Sequence, residues 1–216
     1  MPGIPSIVPA NCIRKGRKQT TRREKPHIAR AQAPHYPVQP LHRRTAPLLP
    51  TPAPGFDQPL ALLRACHERL LRQCATLEKF VVHLRAQGLD AEARQAAAEV
   101  HRYFTTAGRH HHEDEEQDLF PLLRADPQLA PLLAELESDH RRMEPLWSQL
   151  EPLLAAPETI GDIDALADLV RDFNALYAEH IKRENSELLP RAEQLLTEPL
   201  LVVIGARMAR RRGVTL

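Results

Sequence analysis

Four long stretches of this chain carry apolar residues at spacings of three and four, and each apolar row is interrupted once by a histidine. That spacing lines side chains along one face of an α-helix, so each stretch reads as an amphipathic helix with a stripe to bury. The first stripe is Leu60, Leu63, His67, Leu70, Cys74, Leu77, Val81 and Leu84, and the second is Val100, Phe104, Ala107, His111, Glu115, Leu119 and Leu122. The third is Leu133, Leu136, His140, Met143, Trp147, Leu150 and Leu154, and the fourth is Leu166, Val170, Phe173, Tyr177, His180, Glu184 and Leu188.

Local signals set the ends of these helices. Asp57 is expected to cap the first, which stops near Gly88, and the second spans 90–123. Asp126 followed by Pro127 is a cap with a first-turn proline and is expected to open the third, with Pro131 and Pro145 bending it. The fourth follows a turn at 157–162, and a short helix spans 198–211. No strand period competes. Four long amphipathic helices on short connections predict an all-α fold, an antiparallel up-down-up-down four-helix bundle over 56–216 with a short C-terminal helix.

Charge divides the chain in two. Residues 1–55 hold ten Lys/Arg, one acid and eleven prolines, whereas residues 56–216 hold 19 Lys/Arg and 27 Asp/Glu. The first segment has neither helical nor strand period, which predicts a disordered, basic, proline-rich leader. Its basic clusters offer a route to a protein partner; a nucleic-acid role is not favoured, and a solvated tail is the plainer reading. Cys12, Cys66 and Cys74 make no disulfide framework, because Cys66 and Cys74 stand eight residues apart on one helix. That is roughly 12 Å along the axis, beyond the reach of a disulfide of about 7 Å. No apolar run approaches the ~20 residues of a membrane span, and a reducing, cytoplasmic location fits the thiols.

The histidines carry the chemistry. Two stretches share one pattern, His111-x3-Glu115-x3-Leu119-Phe120-Pro121 and His180-x3-Glu184-x3-Leu188-Leu189-Pro190, with the proline ten residues after the histidine in both. Residues i and i+4 share a helix face, so each pair aims an imidazole and a carboxylate the same way. A lone histidine on an apolar face is more often a core residue bonded to backbone than a ligand. Four of them, one per helix, with two carboxylates beside them, shift the balance, since an unpaired buried carboxylate is costly and a cation relieves it. His67, His111, His140 and His180 with Glu115 and Glu184 are too few for two separate octahedral ions. They suit two ions that share the carboxylates as bridges, with an oxo or hydroxo bridge and open positions for a small ligand. Nitrogen and carboxylate donors favour iron and leave manganese and zinc open. The spacing differs from the ferritin-like carboxylate proteins, where Glu precedes His by three.

The neighbouring residues receive plainer readings. Only His111 of His110-His111-His112 stands ten before its proline and falls on the stripe, so His110 and His112 are expected on the helix surface. Tyr177 is read either as a partner of a ligand or as core, Trp147 as core, and Cys74 as a small hydrophobe. Glu144 is read as a solvated acid rather than a third carboxylate ligand, and His83 and His101 as exposed.

These motifs, with Pro59-Leu60, Cys66-His67-Glu68 and Asp139-His140, resemble the hemerythrin-like (HHE) cation-binding family over residues 57–213. The resemblance implies that His67, His111, His140 and His180 are terminal ligands and that Glu115 and Glu184 bridge two non-haem irons. The oxygen-carrying members have a further histidine four residues after the third-helix ligand, where this chain has Glu144. It is therefore closer to the four-His, two-Glu version of bacterial proteins linked to nitrosative stress and repair of iron–sulfur centres. The expected function is a di-iron protein that binds a diatomic ligand, oxygen or nitric oxide, or handles iron in oxidative or nitrosative stress. Two other classes compete: a redox enzyme reducing nitric oxide or peroxide, and a sensing or interaction module that recruits a partner through its leader or the Arg210–Arg212 run. The sequence shows no obvious substrate pocket.

Overall fold

The computed structural model describes residues 53–215. All but the end of the expected leader lies outside them. Four helical rods form the bundle. The first is α1 (Pro59–Gln87). The second joins α2 (Ala91–Tyr103), a π-helical turn (Phe104–Gly108), α3 (Arg109–Asp114), a second π turn (Glu115–Leu119) and α4 (Phe120–Leu123). The third is α5 (Ala130–Ala155), and the fourth joins α6 (Ile163–Arg183), a π turn (Glu184–Leu188) and α7 (Leu189–Leu195). Helix α8 (Glu198–Arg211) comes last. Each rod packs on the next and α6 returns to α1, which closes the antiparallel four-helix ring; α8 rests on α1, α3 and the second π turn. Among the described residues no strand forms, and no helix is long and apolar enough to cross a membrane.

Helix ends obey local chemistry, with two corrections. Asp90 accepts from the Ala93 amide, and Asp162 accepts from the Asp164 and Ala165 amides, which satisfies first-turn donors that would otherwise be orphaned. Gly88 ends α1 at φ 77°, a conformation that costs glycine little. Asp57 does not cap α1: the capping position is Gln58, without a side-chain bond, and Pro59 supplies the preset first turn. Helix α5 starts later than Asp126-Pro127. Asp126 instead accepts from Arg191 and the Gln128 amide, and Pro131 sits in the first turn of α5 rather than bending its interior. Pro145 and Pro152 are the interior prolines, both exposed and both lacking the amide that would pair with a carbonyl one turn back.

The stripes bury as expected on α1, α5 and α6, apart from the half-buried Trp147. In the second rod Gly108 and Leu123 are buried where Ala107 and Leu122 were expected, because each π turn adds a residue and rotates the next stretch of helix about its axis. The interior falls into two apolar clusters. One gathers Leu70 to Leu84, Ala93 to Phe104, Met143 to Leu154 and Leu166 to Tyr177. The other gathers Leu60, Leu63, Leu119 to Leu136, Leu188 to Leu196, Ile204 and Met208. On every rod the stripe histidine falls where one cluster gives way to the other, so a thin polar layer crosses the bundle between two dry cores.

Candidate metal centre

All six expected residues meet in that layer. His67, His111, His140 and His180 are 1–3% exposed, Glu115 1% and Glu184 0%. They form two tetrads, His67–His111–Glu115–Glu184 and Glu115–His140–His180–Glu184, in which one donor atom from each residue lies within 4.8 Å of the others. The carboxylates belong to both. Glu115 Oε1 stands 3.1 Å from His111 Nε2 and 3.4 Å from His67 Nε2, while its Oε2 stands 3.6 Å from His140 Nε2. Glu184 Oε2 lies 3.1 Å from His67 Nε2 and 3.3 Å from His180 Nε2.

The two carboxylates share one backbone setting. Both glutamates are the first residue of a π turn, and both turns close through a bond from five residues on: the Phe120 amide to the Glu115 carbonyl, and the Leu189 amide to that of Glu184. The next residues are Pro121 and Pro190. In a regular α-helix each proline ring would collide with the carbonyl four residues back. Each π turn adds one residue to its rod shortly before the proline.

Outer contacts fix the rings. His140 Nδ1 bonds Glu116 Oε1 at 2.7 Å, and His67 Nδ1 bonds Asn185 Oδ1 at 2.9 Å. His180 Nδ1 faces Asp139 Oδ2 at 3.5 Å, and Asp139 is held by Arg183 and Arg142. At His140 and His67 the oxygen acceptor at Nδ1 holds the proton there and leaves the Nε2 lone pair pointing inward, the usual arrangement of a metal-ligating histidine.

Protein groups alone leave this layer poorly satisfied. Nδ1 of His111, Nδ1 of His180, Oε2 of Glu115 and Oε1 of Glu184 are buried without a hydrogen-bond partner among the described residues. Each such group costs roughly 1–3 kcal/mol, and more when charged. His140 Nε2 and His180 Nε2 face each other at 3.1 Å. Burial and the charge of Glu184 push Glu115 up to about 7. Burial opposes protonation of His67, yet Glu115 and Glu184 outweigh it and hold His67 up at about 10. His111 is driven well below the usual histidine range by burial and then by the charge on His67. Lone pairs converging on two points, with carboxylates common to both, fit a pair of cations.

Some flanking residues sit elsewhere than expected. His112 is half-buried rather than a solvated neighbour: its ring stacks on His140 at 4.0 Å, and its Nε2 lies 3.3 Å from the Tyr177 hydroxyl. Tyr177 is buried in the apolar cluster, as the core reading expects, and its hydroxyl meets His112. His83 and His101 are half-buried, His83 lying 2.9 Å from the capping Asp90. Glu144 is exposed. Burial, with the nearby Glu78 charge, pushes the Cys74 thiol up to about 12, as suits a small apolar residue. The Arg210–Arg212 run is largely used inside the fold. Arg211 and Arg212 both pair with Asp114, Arg211 also with Asp118, and Arg207 with Asp118; both acids are buried, one directly before Glu115 and one three residues after it. A cavity of 530 Å³ that has no signature in the sequence opens beside the centre. His112, His140, Tyr177, Phe104, Met143 and Trp147 line it, and Glu113, Glu116, Glu144 and Glu151 are among its acids.

Fold and site together define a four-helix bundle with a buried imidazole–carboxylate layer able to hold metal ions. A sequence model of the hemerythrin HHE cation binding domain matches residues 58–192, and the chain belongs to that family. It is also similar to an uncharacterized protein of Haemophilus influenzae, 31% identical over 164 residues, which cover 74% of this chain and 92% of that one. The matched residues end before α8, so the arginines that clamp Asp114 and Asp118 lie beyond the family match while the two acids lie within it.

Proposed function

We propose that this chain is a non-haem di-iron protein that takes up a diatomic ligand, oxygen or nitric oxide, or handles iron in oxidative or nitrosative stress. His67 and His111 would serve one ion, His140 and His180 the other, and Glu115 and Glu184 both. The observation that carries this reading is the pair of tetrads sharing both carboxylates. Two nitrogens per position with shared carboxylates suit iron, with manganese or zinc as less favoured occupants. When bound, two adjacent redox-active ions supply electrons to a small molecule. The protein's part is to hold six donors rigidly, exclude bulk water with an apolar cluster on either side, and leave a route in. That route is the cavity ending at His140 and His112, and it is larger than a diatomic needs. Its size favours, as a second reading, turnover of nitric oxide or peroxide with a reductant. The thiols Cys66 and Cys74 are free, which suits a reducing, cytoplasmic setting.

The test is metal analysis with visible absorption on protein purified without oxygen and then exposed to air or nitric oxide. About two irons per chain, with a spectrum that changes on exposure, is the expected result. A folded chain that binds no iron would refute the reading, and catalytic consumption of nitric oxide or peroxide would select the enzymatic one.

A further inference from the structure

The two halves of the centre are backed differently. At the His140–His180 end the outer acceptor is a carboxylate: Glu116, 45% exposed, bonds His140 Nδ1 at 2.7 Å, while His180 Nδ1 has no hydrogen-bond partner among the described residues and only faces Asp139 at 3.5 Å. At the His67–His111 end the outer acceptor is a neutral amide oxygen, Asn185 Oδ1 on His67, and His111 Nδ1 has no partner among the described residues. A carboxylate behind an imidazole fixes its orientation and increases electron donation to the metal, whereas an amide fixes orientation without adding charge. Asp139 counts for less than Glu116, since Arg183 and Arg142 offset its charge and 3.5 Å is long for a formed hydrogen bond.

We infer that the two metal positions are unequal: the His140–His180 position, backed by Glu116, binds its ion more tightly and fills first, and the His67–His111 position binds second and releases first. Glu116 is then a positioning residue, acting on the metal through His140. The inference rests on the dinuclear reading proposed above. The cavity also ends on His140, so the position held more firmly is the one a small molecule meets first, and the looser ion lies behind it.

Calorimetric titration of the chelator-stripped full chain with ferrous iron, without oxygen, tests this. Two resolved steps at least about 10-fold apart in affinity are expected, since an outer partner commonly contributes 10–100-fold. Glu116→Gln keeps an acceptor and removes the charge, and is expected to weaken the first step about 10–100-fold while leaving the second in place. Asn185→Asp adds the missing charge and is expected to tighten only the second step. His111→Ala should abolish the second step, and His140→Ala the first. Glu116 is partly exposed, so Glu116→Gln is expected to fold, and circular dichroism checks each variant. Equal steps in the wild type, or a Glu116→Gln that weakens both steps alike, would overturn the inequality and leave the dinuclear site standing. Fewer than two ions in the wild type would overturn the di-iron reading, and this inference with it.

Discussion

Replacing Glu115 by glutamine is expected to stabilise the metal-free protein and weaken the metal-bound one, and the first effect can be sized. Burial and the charge of Glu184 raise the Glu115 carboxyl from 4.5 to about 7 in the fold. The folded chain therefore binds this proton more tightly than the unfolded chain does. Below pH 4.5 both forms are protonated and there is no penalty. Stability is lost as pH rises from 4.5 to 7, and above 7 the full cost of holding the carboxylate charged is present. At 1.36 kcal/mol for each tenfold in proton affinity, that cost is about 3 kcal/mol. Glutamine keeps nearly the same shape and carries no charge. His67, whose own pKa depends on Glu115 and Glu184, loses one carboxylate partner in the exchange, so about 3 kcal/mol is a ceiling. For a fold of this size 1 kcal/mol moves the melting temperature about 2–4 °C, so a rise of up to about 6–12 °C is expected at pH 8. The assay is thermal melting monitored by circular dichroism, in chelator, from pH 4.5 to 8. Added iron is expected to reverse the order of the two proteins. A metal-free variant that melts at or below the wild type at pH 8, or a gain that does not shrink toward pH 4.5, would show that the Glu115 charge carries no such cost.

Other perturbations probe the scaffold. Arg211→Ala with Arg212→Ala leaves the fully buried Asp114 without a cation, and breaking a buried pair in this way costs about 3–5 kcal/mol, measurable by urea denaturation; an unchanged midpoint would mean the clamp adds nothing. Phe104 packs against Phe173, Trp147 and Tyr177 at ring distances of 5.1–5.5 Å, so Phe104→Ala is expected to cost about 3–5 kcal/mol while the folded fraction keeps its metal content. Gly205 lies in α8 where an added Cβ would come 1.8 Å from the Phe56 carbonyl oxygen. Gly205→Ala is therefore expected to lower the melting temperature even though alanine favours a helix by about 1 kcal/mol, and a rise would show that the 53–58 segment yields freely.

The helices, most of their buried faces and the six residues of the layer are legible in the order of the amino acids. Helical period is a local property, and a histidine on an apolar stripe must lie in the interior wherever that helix packs. His67, His111, His140 and His180 could therefore be placed inside before any partner was known, and the repeat of Glu115 and Glu184 identified the carboxylates. Tertiary structure alone decided what depends on rotation and on distant pairing. Two π turns open at Glu115 and Glu184, and the π turn at 104–108 displaced Ala107 in favour of Gly108. The ring order of the rods grouped His67 with His111 and His140 with His180. Arg211 met Asp114 across 97 residues, turning an apparent docking run into an internal clamp. His112 lies one residue from the stripe, and helical spacing puts it on the surface; only the neighbouring rods, bringing His140 and Tyr177 against it, make it part of the wall of the centre. Periodicity says which face turns inward, whereas the identity of what it meets is set by packing between helices far apart in the chain.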